Sequence, residues 1–418
     1  MNDVEQAITQ AHHEEWARVV AALTRRFGDL DIAEEAAAEA ITTAVERWRT
    51  DGVPPNPGAW LTTTANRKAI DRIRRERKRD DKHKEAQMGY EADQHDPPEP
   101  LGAIDDDRLR LIFTCCHPAL ATQSRVALTL RMVGGLTVPE IARAFLVRET
   151  ALEQRITRAK AKIKAARIPY RVPSKEDLPA RVSAVLTVLF LVFNEGYLAT
   201  GPGTDPVRHD LTAEAIRLTR LIRTLLPDDG EVAGLLALML LTEARRTARV
   251  SAGGELVTLD EQDRGAWDTG LIAEGHRLVR ERLAAAAAGV APGRYQILAA
   301  INAVHTSARD ARDTDWSQIV ALYDQLVRVD RSPIVALNRA IAVAELDGPE
   351  VALAAIDRLA DTLADYHAYH AARADLLRRL RRSQEARAAY DKAIELAGNT
   401  AETAALTRRR DQLGSSKP

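Results

Sequence analysis

Hydrophobic residues in the first part of the chain recur every three or four positions, the spacing of one face of an α-helix. Trp16 and Leu23 mark a first helix, and Ala37 marks a second. Gly28 lies between them and is expected to end the first helix, and Asp31 is expected to cap the second. The pattern therefore predicts a helical hairpin at the start of the chain.

A third helix is expected after a loop. Residues 50–58, TDGVPPNPG, contain three prolines and two glycines, which do not continue a helix. The next segment has a strongly basic helical pattern, and its part 67–84 carries ten Lys or Arg against four Asp or Glu. These helices together predict a first module over residues 8–82.

The charge pattern reverses after this module. Residues 86–107 contain seven Asp or Glu, three prolines and no Lys or Arg. Few apolar residues and high net charge are typical of segments that form no core. We therefore predict a flexible acidic linker over residues 83–106.

A second module, predicted over residues 107–170, contains the strongest motif. Thr137 and Glu140 match a capping box, which starts a short helix after a Gly-Gly turn. A tight turn follows, and then a helix that carries seven Lys or Arg against two Glu over residues 148–167. A short helix, a turn and a basic helix are the parts of a DNA-binding helix-turn-helix, whose second helix enters the major groove. An ordinary helical hairpin with a solvated charged face is the alternative.

The last hundred residues repeat themselves. Residues 332–362 align with residues 366–397 at an offset of 34, and residues 316–333 form a weaker earlier copy. A 34-residue helix-turn-helix period resembles the tetratricopeptide repeat. We predict a helical extension over residues 180–412, with the clearest repeats in 300–397. The whole chain is predicted to be all-α, with two small helical modules, a flexible acidic linker and an α-solenoid domain.

Composition limits the remaining classes. The 418 residues are 45% hydrophobic with a formal net charge of −1, as in globular proteins. The N-terminus lacks a signal-peptide pattern, and the apolar run 182–193 is shorter than a membrane span, so we expect a cytoplasmic protein with no membrane partner. Cys115 and Cys116 are adjacent, which excludes a disulfide framework. With His117 they could ligate zinc, but a buried structural pair is favoured, and we predict no metal and no cofactor.

Residues 10–167 resemble the extracytoplasmic-function (ECF) class of bacterial sigma factors. The helix at AEEAAAEAITTAVERW resembles the one that docks on the polymerase β′ subunit, and NPGAWLTTTANRKAIDRIRRERKR resembles the −10-element reader. GLTVPEIARAFLVRETALEQRITRAKAKI resembles the −35 reader, and the repeat-bearing half resembles the subgroup with a tetratricopeptide extension. The resemblance implies core RNA polymerase (β′ and β subunits) and promoter DNA as partners. It also implies promoter melting without a catalytic residue.

The resemblance assigns a group of residues to each partner. Those expected at the −10 element are Trp60, Asn66, Arg67, Lys68, Asp71, Arg72, Arg74 and Arg75. Those expected at the −35 element are Arg148, Glu149, Thr150, Glu153, Gln154, Arg155, Arg158, Lys160 and Lys164. Those expected on core polymerase are Asp31, Glu34, Glu35, Glu39 and Ile41.

Two places depart from the family pattern. The docking helix has Ala38-Glu39 where Gln-Glu is common. The turn before the recognition helix has Arg148 where Ser is usual, and Thr150 with Glu153 offers an alternative capping box. The first residue of the recognition helix is therefore left open. The linker is equally consistent with a nucleic-acid mimic in the RNA channel of the polymerase and with a solubilising tether.

The segment Asn194, Glu195, Gly196 and Tyr197 follows an apolar run, Val185–Phe193, that is expected to be buried on all sides. Gly196 is expected to take a left-handed conformation at the helix end. We expect a regulatory junction here, and helix capping is the alternative. The C-terminal repeats are expected to bind a peptide, protein or small ligand and to modulate activity.

Three functions are compatible with these patterns. A sigma factor is the first, and a stand-alone helix-turn-helix transcription regulator with a protein-interaction domain is the alternative. An enzyme with a site around residues 194–197 ranks last, because the sequence has no phosphate-binding glycine motif and no metal-ligand pair.

Overall fold

The computed structural model describes residues 3–84, 107–145, 147–198, 208–251, 256–398 and 400–413. The chain forms two compact units, Met1–Leu189 and Phe190–Pro418. Within the described ranges the regular structure is helical, apart from an isolated bridge between Val250 and Leu256. The predicted all-α fold is confirmed. Most of the predicted linker, residues 85–106, lies outside the described residues, and so do residues 199–205, for which the sequence ATGPGTD predicts a loop.

Three helices open the first unit: α1 (Asp3–Phe27), α2 (Leu30–Asp51) and α3 (Pro57–Lys84). Gly28 ends α1 with a φ of 69°, a backbone angle that favours glycine. The cap of α2 is Asp29 rather than the expected Asp31, because its carboxylate accepts from the backbone amides of Asp31 and Ile32. Small alanine side chains on the buried face of α2 allow the other two helices to pack closely.

Four further helices complete most of this unit: α4 (Asp107–Cys115), α5 (Thr122–Met132), α6 (Val138–Ala144) and α7 (Glu149–Ala165). Cys115 and Cys116 are buried and unbonded to each other, and the Cys116 thiol lies 3.2 Å from the Thr129 hydroxyl. Burial raises the pKa of both thiols, to about 11 for Cys116. The pair is part of the core, and both thiols stay protonated at neutral pH.

Helix α8 (Leu178–Tyr197) begins in the first unit and ends in the second. By length and composition alone it could cross a membrane, although such a helix is also typical of a protein core. The expectation that Val185–Phe193 is buried on all sides is wrong, because Thr187 and Leu191 are exposed. Near its start, Arg181 donates to the Phe113 carbonyl and lies over the ring of Phe113.

Gly196 lies inside α8 and has no left-handed conformation, which corrects the expected helix-ending role. It is buried against the start of the next helix. A Cβ at this position would lie 2.7 Å from the Thr212 amide nitrogen and 2.8 Å from the Arg208 carbonyl oxygen. Glycine is therefore required here for close packing.

The second unit continues with ten α-helices in its described part. They are α9 (His209–Leu225), α10 (Gly230–Glu243), α11 (Thr269–Ala287), α12 (Arg294–Ser307), α13 (Trp316–Val329), α14 (Pro333–Leu346), α15 (Pro349–Asp357), α16 (His367–Arg379), α17 (Ser383–Leu396) and α18 (Thr400–Gln412). Helix α10 is buried along most of its length and forms the centre of the first half of this unit.

Helices α14 to α17 follow the 34-residue spacing in the sequence. Ala340 and Ala374, which the alignment pairs, are both buried in one hydrophobic cluster, and so are Ala352 and Ala386. Small side chains at equivalent places let successive helix pairs approach each other. The assignment of these helices to the tetratricopeptide family stays a prediction.

We predict that Gly196→Ala destabilises the second unit by about 1–3 kcal/mol, the range for overpacking a filled core. The cause is the contact of the new methyl group with the Arg208 and Thr212 backbone. Urea unfolding followed by circular dichroism measures the change. Gly398→Ala is the matched control, since nothing lies within 4 Å of its Cβ position. Equal stability of the two variants would contradict the packing role.

Candidate nucleic-acid interface

One face of α3 is a stripe of exposed charged residues. Arg67, Asp71, Arg74 and Arg75 are exposed and lie one or two helical turns apart. The buried face of the same helix carries Leu61, Ala65 and Ala69 against the rest of the unit. The helix therefore presents three guanidinium groups to solvent from a fixed backbone.

Other residues expected at the −10 element contact side chains of α1 or α2. Lys68 lies 3.7 Å from the Glu39 carboxylate, and Arg72 forms an ion pair with Glu35. Asn66 accepts a hydrogen bond of 3.2 Å from Arg26. Two side chains expected on DNA are thus paired with two carboxylates expected on polymerase.

Trp60 is half-buried at the start of α3. Its ring packs edge-on against Trp48 with centroids 5.5 Å apart, and Trp48 itself is buried. The partly exposed ring of Trp60 leaves an aromatic surface beside the exposed stripe, as proteins that stack on unpaired bases require.

The predicted capping box is present at the start of α6. The Thr137 amide donates to the Glu140 carboxylate at 2.7 Å, and the Glu140 amide donates to the Thr137 hydroxyl at 3.4 Å. The box fixes the short helix that precedes the turn. Helices α6 and α7 thus have the order and spacing of a helix-turn-helix.

Helix α7 begins at Glu149, which settles the position that the sequence left open. Arg148 occupies the N-cap but makes no capping bond with its side chain. The first turns are exposed, and they include Glu149, Thr150, Glu153 and Gln154. Amide groups that no side chain caps at a helix N-terminus favour contact with a phosphate.

Further along α7, the residues expected at the −35 element differ in their exposure to solvent. Arg158 is exposed, and its guanidinium bonds to Gln154 on the same helix. Arg155 is half-buried, and Lys164 is 84% exposed with its ammonium 3.6 Å from the Asp29 carboxylate. Lys160, by contrast, is buried.

Lys160 lies in a cluster of charges between α2 and α7, which we call the Glu34 cluster: Asp31, Glu34, Arg131 and Lys160. The Lys160 ammonium donates to Asp31 at 2.7 Å and also to Glu34. The second oxygen of Glu34 accepts from Arg131, at the end of α5. In this arrangement Lys160 is not available to DNA, and Glu34 is not available to another protein.

The cluster is held in its charged form. Burial alone would raise the pKa of Glu34, but the charges and hydrogen bonds of Lys160 and Arg131 outweigh burial and hold that pKa below 4.5. Burial alone would lower the pKa of Lys160, but Glu34 and Asp31 raise it above 10.5. Both groups are therefore ionised at neutral pH.

Two aromatic residues strengthen the same contact between the first three helices and the next four. The Trp16 indole donates to the carbonyls of Arg131 and Met132 at 3.2 and 3.1 Å. The Tyr170 hydroxyl lies 2.9 Å from the Ala21 carbonyl oxygen and 3.0 Å from that of Asp107. Sequence patterns give no site role to Trp16, Arg131 or Tyr170, since only the fold brings them together.

Around the expected junction, Asn194 is exposed and Glu195 is half-buried. The Tyr197 ring lies under the Arg249 guanidinium, whose carbon is 3.3 Å from the ring centroid. Arg249 also donates to the Tyr197 carbonyl at 2.6 Å. On α2, Ile41 is half-buried. Groups of metal-ligating side chains are not found among the described residues.

Family models match the chain in three places. Sigma-70 region 2 matches residues 13–79, Sigma-70 region 4 matches residues 110–163, and a family of unknown function, DUF6596, matches residues 181–284. An uncharacterized protein of Rhizobium meliloti (strain 1021) is 43% identical over 401 residues, which cover 95% of this chain and 93% of that protein. The chain belongs to the same family as this protein.

A second relative carries a function in its name. The ECF RNA polymerase sigma factor SigK of Mycobacterium ulcerans (strain Agy99) is 29% identical over 146 residues, 33% of this chain and 74% of that protein. Region 2 corresponds to α1–α3, and region 4 corresponds to α4–α7. The sigma-70 regions support a role in transcription initiation, with DNA and core polymerase as partners.

We predict that the Glu34 cluster makes the stability of the first unit fall in acid. The lowered pKa of Glu34 means that its contribution is present above its ordinary value of 4.5 and is lost as the pH falls through the lower folded value. Thermal unfolding from pH 7 to pH 3 measures the effect. Glu34→Gln is expected to flatten the profile below pH 5, and Glu46→Gln, an exposed position on α2, is expected to leave it unchanged. The same acid slope in Glu34→Gln and in the unaltered chain would contradict the assignment.

Proposed function

We propose that the chain is a sigma factor of the extracytoplasmic-function type. It binds core RNA polymerase, recognises −10 and −35 promoter elements and supports promoter melting. The observation that carries the proposal is the presence of both sigma-70 regions in one chain, each matching one group of helices. No step of this function requires a catalytic residue, and a cytoplasmic location follows from it.

The proposed −10 surface is the exposed stripe of α3 together with Trp60. The guanidinium groups of Arg67, Arg74 and Arg75 contact the backbone of the separated strands, and the exposed part of Trp60 offers a stacking surface. Lys68 and Arg72 join this surface when Glu39 and Glu35 turn to polymerase. Unstacking a base costs a few kcal/mol, and the contacts of the base with the pocket that receives it offset this cost.

The proposed −35 surface is the exposed beginning of α7. Gln154 and Glu153 are exposed where a recognition helix reads base edges, and Arg148 and Arg158 are placed for phosphates. The amides at the start of the helix provide a further phosphate contact.

The arrangement of the first unit is proposed to be a resting state. The −10 and −35 elements are separated by roughly 25 base pairs, or about 85 Å of duplex at 3.4 Å per step. In the closed unit α3 packs on α2, and α7 is bonded to α2 through the Glu34 cluster. One closed unit therefore cannot contact both elements, and α2 and α7 separate when polymerase and promoter bind.

The C-terminal unit is proposed to modulate this activity in cis, since α8, which ends in that unit, begins in the first unit, where its Arg181 bonds to Phe113 of region 4. Its repeats bind a regulatory partner. A stand-alone helix-turn-helix regulator is the rival function. Transcription reconstituted from the purified chain, core polymerase and a pool of randomised promoters separates the two. Promoter-specific initiation supports the sigma function, whereas tight duplex binding by the chain alone without initiation contradicts it.

We predict that Arg67→Ala and Arg74→Ala each lower promoter opening about tenfold at physiological salt. Each change removes a phosphate contact, so the slope of log affinity against log salt falls by about 0.7–0.9. Permanganate reactivity of unpaired thymines measures opening over a salt series. Arg358→Ala, a change at the exposed position that directly follows α15, is the control with no expected effect. Unchanged opening in both α3 variants would contradict the proposed −10 surface.

We predict that loosening the closed contact raises apparent affinity for core polymerase. Tyr170→Phe removes a hydrogen bond worth about 1 kcal/mol, roughly a fivefold effect. Arg131→Met removes a cationic partner of the buried Glu34 carboxylate and is expected to raise the affinity for core polymerase by more than Tyr170→Phe does. Neither residue is assigned to DNA or polymerase. Binding to labelled core polymerase measures the gain.

Tyr323→Phe is the matched control for Tyr170→Phe, because the Tyr323 hydroxyl makes no hydrogen bond among the described residues. Circular dichroism checks that all three variants fold. Folded Tyr170→Phe and Arg131→Met variants with affinity equal to or below that of the unaltered chain would contradict the resting-state proposal.

A further inference from the structure

The second unit contains a groove between the segment 256–264 on one side and α14, α16 and α18 on the other. It consists of two cavities of about 500 and 680 Å³. Both cavities are lined by Thr258, Leu259, Glu345, Asp375, Arg379 and Arg409, so they form one continuous depression. Tyr197, the last residue of α8, lines the cavity of about 500 Å³.

The groove carries an excess of positive charge. Eight arginines line the two cavities, against four Asp or Glu. Three of these carboxylates already have a basic partner: Glu345 pairs with Arg379, Asp375 with Arg378 and Glu402 with His367. Arg245, Arg249, Arg264, Arg312 and Arg409 also line the groove and are not part of these three pairs.

Two of the arginines are buried with neutral hydrogen-bond partners. Arg249 is 7% exposed and donates to the Tyr197 carbonyl, and Arg245 is 8% exposed and donates to the Asn302 amide oxygen at 3.3 Å. The Arg245 Nε atom is buried without a partner. The nearby carboxylate of Glu243 pairs with Arg246 and also stabilises the charge of Arg249, so one carboxylate serves several arginines.

A guanidinium keeps its charge at neutral pH, and burying more guanidinium groups than carboxylates is unfavourable. Burial lowers the pKa of Arg249 and of Arg264, which lines the second cavity, as expected for cations removed from water. An anion bound in the groove would neutralise this excess charge. The groove is therefore suited to an anionic ligand.

The floor of the groove decides which kind of anion fits best. Small apolar side chains line it along α16 and α18, among them Ala368, Ala371, Ala372 and Ala405. A strip of alanines accommodates an extended main chain and apolar side chains, whereas a free phosphate would make no use of it. Arginine forks bind carboxylates with two hydrogen bonds. We propose that this groove binds an acidic, extended peptide segment of a partner protein.

The proposal deepens the suggested control of transcription by the C-terminal unit, and its regulatory consequence rests on that function. Tyr197 lines the groove and ends α8, and Arg249 holds both its ring and its carbonyl. A peptide carboxylate that recruits Arg249 changes these contacts. The other end of the same helix carries Arg181, which bonds to Phe113 of region 4.

Binding is tested with the full chain alone, without polymerase. The probe is a fluorescein-labelled ten-residue peptide that alternates Glu or Asp with Leu, and the comparison peptide replaces each acid by Gln or Asn. Fluorescence anisotropy is expected to show at least tenfold tighter binding of the acidic peptide. The acidic peptide is also expected to raise the unfolding temperature, because it binds the folded state.

Arg312→Gln and Arg409→Gln test the site, since Arg312 is exposed and Arg409 half-buried, and neither is part of the core. Each change is expected to weaken binding of the acidic peptide about tenfold, which is the effect of losing one charged hydrogen bond. Arg358→Gln, outside the groove, is expected to bind normally.

Equal binding of the two peptides, or unchanged affinity in both groove variants, would overturn the proposal. Displacement of the peptide by millimolar inorganic phosphate or ATP would also overturn it in favour of a small polyanion. Because none of these measurements uses polymerase, their failure leaves the sigma function standing. Failure of reconstituted transcription would likewise leave the binding result unaffected.

Discussion

A buried carboxylate with two cationic partners holds the first unit together. Glu34 lies on α2, the helix proposed to bind polymerase, and its partners Lys160 and Arg131 lie in region 4. Removing one partner from a buried pair is unfavourable by about 3–5 kcal/mol, so the cluster favours closure while all its members remain in place. The contact also makes Glu34 and Lys160 inaccessible to other molecules, because a side chain that is paired within the closed unit cannot bind an outside partner at the same time.

Two surfaces proposed to bind DNA are exposed in the closed unit and can be reached without a rearrangement of its helices. The stripe on α3 and the first turns of α7 face solvent in the closed unit, so nucleic acid can approach either one. Glu35 and Glu39 pair instead with Arg72 and Lys68 on α3. Exposed and half-exposed ion pairs of this kind are weak, and competition by a protein surface or by DNA can replace them. A first contact with nucleic acid can therefore use the exposed surfaces as they are, whereas binding that involves Glu35, Glu39, Lys68 or Arg72 requires that their ion pairs be replaced.

The sequence predicted the parts of this molecule that depend on local rules. The helix break at Gly28, the Thr137–Glu140 box and the all-α class follow from turn chemistry, capping and periodicity. It could not predict Lys160 against Glu34, because a basic residue on a helix reads equally as a phosphate contact and as a partner for a distant carboxylate. The prediction for Gly196 was wrong because its role also depends on a part of the chain outside its own helix. The backbone at the start of α9 leaves no room for a side chain at Gly196, and no neighbouring residue in the sequence reveals this contact.

The distance between α2 and α7 tests the central claim most directly. Spin labels on cysteines placed at the exposed positions Arg47 and Lys162 report it, and Cys115 and Cys116 stay unlabelled because they are buried with raised pKa. Pulsed electron resonance should give a short, narrow distance in the free chain. It should lengthen by several tens of ångströms with core polymerase and promoter, as elements about 85 Å apart require. An unchanged short distance in a transcribing complex would contradict the account.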